Sequence, residues 1–155
     1  MAKTKIHFKV EGMDGLIKSL NKLGSVPQKH VTSSAKKGMN IVLKQARANA
    51  PYDTGALTKG IKLKGEKSRY KGKKVYRVIF DETMNHIFVK EYGNGKRAYY
   101  PVLQEYGYFT KNGRYIPGFR FIRDSLIDNT KNMENIIIVD MKAKIDAEIE
   151  KAGLK

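Results

Sequence analysis

The sequence contains no cysteine. Disulfides, thiolate nucleophiles and zinc sites of the Cys type are therefore excluded, the fold has to hold by packing, and nothing follows about redox compartment. Long apolar runs are missing as well. The longest aliphatic stretch, Ile136-Ile137-Ile138-Val139, is far below the ~20 residues of a membrane span, which predicts a soluble protein with no membrane partner. The N-terminus, MAKTKIHFKV, starts basic but has neither an apolar core of signal-peptide length nor a small-residue cleavage site, so the protein is expected to stay in the cytoplasm where it is made. Acidic residues are scarce: 15 Asp plus Glu stand against 31 Lys plus Arg, a formal net charge of +16.

What is present is the length and composition of one globular domain: 155 residues, 41% hydrophobic, read as a single domain over 1–155. The positive field favours polyanions, whether nucleic acid, acidic protein surfaces or anionic lipid. It is concentrated between Thr58 and Val78, where Lys59, Lys62, Lys64, Lys67, Arg69, Lys71, Lys73, Lys74 and Arg77 are opposed only by Glu66. Lys67, Arg69, Lys71, Lys73 and Lys74, in a hairpin tip at about 65–74, are the candidate polyanion contacts. A solvated tip whose lysines protect a sheet edge is the preferred reading over a specific phosphate site. Tyr70 is the one aromatic residue between Thr58 and Lys74, too few for the interleaved aromatics of a stacking surface.

Periodicity gives the order of elements. Ile6-His7-Phe8-Lys9-Val10 alternates as a strand does, and Asp14 is placed to cap a short helix burying Leu16, Ile17, Leu20 and Leu23, ended by Gly24. From Pro27 to Asn49 the residues Val31, Ala35, Gly38, Met39, Val42, Leu43, Ala46 and Ala50 form one helical stripe, which Pro51 stops. The period then changes to two: Ile61, Leu63 and Gly65 alternate with charged residues, and Lys71-Gly72-Lys73 turns the chain into Val75–Phe80. Ile87-Phe88-Val89 is a third strand candidate, Gly93-Asn94-Gly95 a loop, and Asn112-Gly113 a hairpin turn. A long C-terminal helix at about 118–152 carries Leu126, Thr130, Met133, Ile137, Met141, Ile145, Ile149 and Ala152 as its stripe. Two N-terminal helices, an antiparallel β-sheet with hairpins and a long final helix make the fold class α+β.

Asp53-Thr54-Gly55-Ala56 is the tetrapeptide that carries the catalytic carboxylate in retroviral-type aspartic proteases, but Asp-Thr-Gly is also ordinary turn chemistry. A protease needs this Asp at the end of a buried strand, beside a second identical loop that shares its proton. Here the Asp follows a helix end and a proline, and no second Asp-Thr-Gly exists, so the structural reading is preferred. His7, His30 and His86 have no metal-ligand spacing. No Gly-rich phosphate loop and no Ser-His-Asp order accompanies them, and no cofactor is expected.

Three segments in order carry a specific resemblance: AKKGMNIVLKQARANAPYDTGALTKGI, then YYPVLQEYG, then IPGFRFIRDSL. Together they resemble the tail-completion or head–tail joining proteins of tailed-phage necks, the family typified by the tenth gene product of an HK-type lambdoid phage. One departure is that Gly118 separates Pro117 from Phe119, where the family has Pro directly before Phe. The resemblance implies a non-enzymatic virion protein of a phage or prophage, made in the host cytoplasm and located in the neck or tail after assembly. It would be monomeric when free and a ring when assembled, between the connector and tail-terminator or tail-tube proteins. The residues implied to hold the motif are Pro51, Asp53, Thr54, Gly55, Leu57, Glu105, Tyr106, Gly107, Pro117 and Phe119. Pro51 would end the helix, Asp53 cap the turn, Gly55 permit its dihedrals, and Leu57 with Ile61 return the chain to the core. Glu105 would accept backbone donors or an arginine, and Gly107 would end a short segment. Segments 68–74 and 92–98 are expected to order on docking. The runner-up is a basic DNA-binding or packaging-associated module, with nonspecific DNA contact.

Overall fold

A computed structural model describes residues 28–70 and 72–151. The expected strand at 6–10, the helix from Asp14, Lys71 and Ala152 lie outside the described residues. The elements run α1 (Gln28–Asn49), α2 (Ala56–Gly60), β1 (Ile61–Gly65), β2 (Tyr76–Phe80), a 3-10 turn (Glu82–Met84), α3 (Asn85–Phe88), β3 (Val89–Glu91), β4 (Arg97–Tyr99), α4 (Tyr100–Tyr106), β5 (Gly107–Phe109), β6 (Tyr115–Pro117) and α5 (Phe121–Lys151). The class is α+β. No helix among the described residues is long and apolar enough to cross a membrane.

The strands form three two-stranded sheets, β1–β2, β3–β4 and β5–β6. Hydrogen bonds from Asp81 N to Gly60 O and from Glu66 N to Val75 O bracket the first as an antiparallel pair. Val89 faces Tyr99 in the second and Tyr108 faces Ile116 in the third, both antiparallel.

Two boundaries differ from the periodicity. The third strand, expected at Ile87-Phe88-Val89, starts only at Val89, because Asn85–Phe88 is helical. The Asp81 carboxylate accepts from Thr83 N and starts the turn, and the helical register delivers Phe88 into the interior, where it is fully buried. The long helix begins at Phe121 rather than near Gly118. Arg120, at φ 51°, occupies the left-handed region just before it.

Chain contacts divide the described residues into two compact units, one containing residues 28–41, 64–70, 72–77 and 130–151, the other Val42–Leu63 and Val78–Asn129. In the first, α1 meets the later turns of α5 at Gly38, where an added Cβ would lie 2.6 Å from Ile137 Cγ1 and 3.0 Å from Met133 Cγ. Glycine is required there by the close approach. Beside this contact, Ser34 Oγ donates to Asp140 Oδ2 at 2.7 Å and Lys37 Nζ to Oδ1 at 2.6 Å, while Lys144 bridges Asp140 and both Ser33 and Ser34. Lys144 first, then Lys37 and Ser34, hold the Asp140 carboxyl well below the usual carboxylate range. Ser34 is fully buried. A lysine paired with a carboxylate and a serine closed to solvent make an anchor between helices rather than a nucleophile and its base.

The second unit is built on Ala50, Leu57, Ile61 and Phe121, with Leu43, Val78, Phe80, Tyr100 and Ile122 packed around them. Phe80 makes edge contacts with Phe88, Tyr99 and Phe121 at centroid separations of 6.3, 6.3 and 6.2 Å. These are the T-shaped geometries in which ring edges meet ring faces. Gly60 makes room for this cluster: a Cβ there would stand 2.3 Å from Phe88 Cζ.

Candidate functional site

The corner after α1 brings together most residues of the first motif. Pro51 follows the helix end, Gly55 stands at φ 75° and is buried, and Leu57 and Ile61 are core residues. Positive φ is strained for any side chain with a Cβ, so this turn needs glycine. Lys59 N donates to Gly55 O at 3.1 Å and closes the first turn of α2. Asp53 is not the cap that was expected. Its side chain is exposed and has no hydrogen-bond or ion-pair partner among the described residues, and Thr54 Oγ1 instead accepts from Ala56 N at 3.4 Å. The bend is supplied by Gly55, and the first amide of α2 is met by Thr54 rather than by Asp53.

Glu105 is the carboxylate that caps. It is 3% exposed, and its Oε2 and Oε1 accept from Ile122 N and Arg123 N, each at 3.0 Å. The first amides of a helix have no partner within it. Here two of them, at the start of a 31-residue helix, are met by one side chain on α4, whose charge also suits the positive end of the helix dipole. Backbone bonds tighten the same junction: Phe119 N donates to Gln104 O at 2.8 Å and Arg120 N to Glu105 O at 3.0 Å. Gly107 ends α4 at φ 85°, its N–H donating to Leu103 O. Gly107 and Gly118 are where two backbones cross, since a Cβ on Gly118 would lie 2.4 Å from both Glu105 O and Gly107 N. The departure from the family pattern, Gly118, thus fills a place that has no room for a side chain.

The remaining motif residues turn outward. Tyr106 and Phe119 are exposed, and Pro117 faces Gly107 across β5–β6. Phe121, two residues past Phe119, is the buried aromatic of this segment.

In the basic hairpin, Lys67, Arg69 and Lys73 are exposed, while Lys74 Nζ donates to Glu66 O at 2.5 Å and lies over the Tyr76 ring. Arg77 pairs with Glu66 and Lys62 with Asp81. Lys62, followed by the Thr83 hydrogen bonds, draws the Asp81 carboxyl below its ordinary range. The tip is tied to α1 by Gln28, which accepts from Gly72 N at 2.9 Å and donates to Lys73 O at 3.2 Å. The turn at 92–96 closes on itself through Tyr92 N to Lys96 O, 2.9 Å.

Two positioning residues were absent from the sequence reading. Arg47 donates through Nε and Nη2 to Ile61 O at 3.1 and 2.7 Å, latching the end of α1 to the start of β1. Asn49 donates to the buried Ser125 Oγ at 3.1 Å. Both partners are remote in sequence, and the only local signal was a polar residue in the last turns of an amphipathic helix. Among the described residues no group of three or more His, Asp or Glu converges as a metal site would require.

A family model described as "Bacteriophage HK97-gp10, putative tail-component" matches residues 14–107. The matched stretch holds both the Gly55 corner and Glu105 to Gly107; the third resembling segment, Ile116 to Leu126, lies beyond it. Comparison with curated proteins and with solved structures returns no match. The match spans well over half of the chain, which belongs to the HK97-gp10-like family of bacteriophage tail components.

Proposed function

We propose that this tail component is a head–tail joining protein of the neck. Copies would form a ring with the connector on one side and tail-terminator or tail-tube proteins on the other. Free subunits would be monomers in the host cytoplasm, and no step would involve catalysis. The observation that carries the reading is the family match over residues 14–107, in which the residues behind the resemblance serve as a glycine corner and a helix cap. Such residues fix local backbone geometry, as a part placed in an assembly requires. A clean deletion of the gene tests the role: the expected phenotype is filled heads and separate tails, or heads that leak DNA. Normal infectious particles from the deletion would refute it.

A second reading, nonspecific DNA contact, is supported by the exposed Lys67, Arg69 and Lys73. Binding of this kind acts through counterion release and falls steeply with salt. Reversing these three residues to Glu should leave the fold intact and abolish most of it. Salt-resistant, sequence-selective binding by the unmodified protein would favour a packaging-associated module instead. Peptide cleavage abolished by Asp53→Asn would favour the protease.

A further inference from the structure

The β5–β6 hairpin presents more aromatic surface to water than the fold can use. Phe109 and Phe119 are 73% and 62% exposed, and Tyr106, Tyr108 and Tyr115 are also outside the core. Single exposed aromatics are ordinary, but five within residues 106–119, on one hairpin and its base, are an accumulation of the kind found at docking surfaces. The same stretch is of one charge. From Tyr106 to Arg123 there is no acidic residue, and Lys111, Arg114, Arg120 and Arg123 are all basic.

The hairpin is also held in shape. Thr110 N donates to Arg114 O at 2.8 Å and Gly113 N to Thr110 O at 3.0 Å. Tyr115 OH donates to Tyr106 O at 2.6 Å, which pins the ring against which Phe109 tilts at a centroid distance of 5.1 Å. At its base are the Gly107–Gly118 crossing and Arg120, fixed at φ 51° by backbone bonds. Ordering costs that a flexible loop would meet on binding are met here in advance.

We infer that this hairpin is a docking element that inserts into an acidic-rimmed apolar cleft on a neighbouring protein of the virion; the inference rests on the joining role proposed above. Tyr and Arg at the contact, with Phe beside them, have the composition of interface anchors. The strand register favours a protein over a nucleic acid. Tyr108 pairs with Ile116 and Phe109 with Tyr115, and adjacent pairs point to opposite faces, so the rings lie on both faces of the ribbon. A stacking platform for bases would line them along one face, whereas a cleft covers both. A second copy of this chain is the poorer match, because its net charge of +16 opposes a basic hairpin.

The test complements the deletion with variants and reads joined particles by electron microscopy, the protein in purified virions by immunoblot, and, on the isolated protein, thermal stability, single-stranded DNA binding and self-association. Phe109→Ser with Phe119→Ser should reduce joined particles and incorporation at least about tenfold, the scale of losing interface anchors, with unfolding little changed. Lys111→Glu with Arg114→Glu, which leaves the aromatic packing in place, should reduce joining in the same direction and keeps the test readable if the serine variant unfolds. Tyr52→Ser, 81% exposed but outside the hairpin, should join normally. If the unmodified gene fails to restore joining, the neck role itself is wrong. If it restores joining and both hairpin variants do so equally well, the docking inference is wrong. Loss of single-stranded DNA binding or of self-association in the hairpin variants, with virion incorporation intact, would overturn it in favour of those occupants.

Discussion

Two carboxylates sit in the two motif regions of this protein, and their surroundings are opposite. Asp53, in the most conspicuous tetrapeptide of the sequence, is exposed and unpartnered among the described residues. Glu105, in the less conspicuous Glu-Tyr-Gly, is 3% exposed and has both oxygens occupied by first-turn amides of α5. The Gly55 corner therefore works through a dihedral angle, and the Glu105 junction through hydrogen bonds between elements remote in sequence. A motif's visibility reflects its local turn chemistry; its energetic weight depends on what the tertiary fold brings to it.

Breaking the second region should have the largest effect. Glu105→Ala removes two bonds to a charged acceptor and leaves a void; each such bond contributes about 1.5–3 kcal/mol, so a loss of about 3 kcal/mol is expected in urea denaturation. Glu105→Gln, which keeps one acceptor, should lose roughly half as much. Gly55→Val forces a β-branched residue to φ 75° and should cost about 2 kcal/mol, read as a lower melting temperature.

A smaller effect sharpens the contrast by adding a third carboxylate. Asp140→Asn should cost about 1 kcal/mol at neutral pH. Because Lys144, Lys37 and Ser34 depress its folded-state pKa, the carboxylate's contribution is complete above the unfolded value of about 4 and is lost as pH falls below it. The gap between variant and unmodified protein should therefore close in acid. If it widens instead, the assigned cause is wrong. The smallest effect belongs to Asp53→Ala, expected to change stability by less than about 0.5 kcal/mol, as an exposed residue without partners should.

The same contrast separates what was legible in the sequence from what was not. The α1 stripe through Met39, Val42 and Ala46, the stop at Pro51 and the α5 stripe through Met133, Ile137 and Met141 are periodic, and those residues are buried. Gly55 was legible because a turn of that type requires positive φ. Phe88 was assigned to a strand because the three apolar residues Ile87-Phe88-Val89 have no period of their own; what decides the matter is the space above Gly60, a tertiary fact. The short strand β4 pairs with β3 across a five-residue turn, too brief for a pattern. Glu105 was expected to find backbone donors, but which ones depends on a junction 17 residues away in sequence. Arg47 and its partner Ile61 O were hidden for the same reason.

The claim that Glu105, rather than Asp53, secures the fold is tested most directly by amide hydrogen exchange at Ile122 and Arg123. First-turn helix amides ordinarily lack a partner and exchange readily. In the unmodified protein these two should be strongly protected, they should lose that protection in Glu105→Ala, and they should keep it in Asp53→Ala. Rapid exchange at both positions in the unmodified protein, or equal loss in the two variants, would contradict the account.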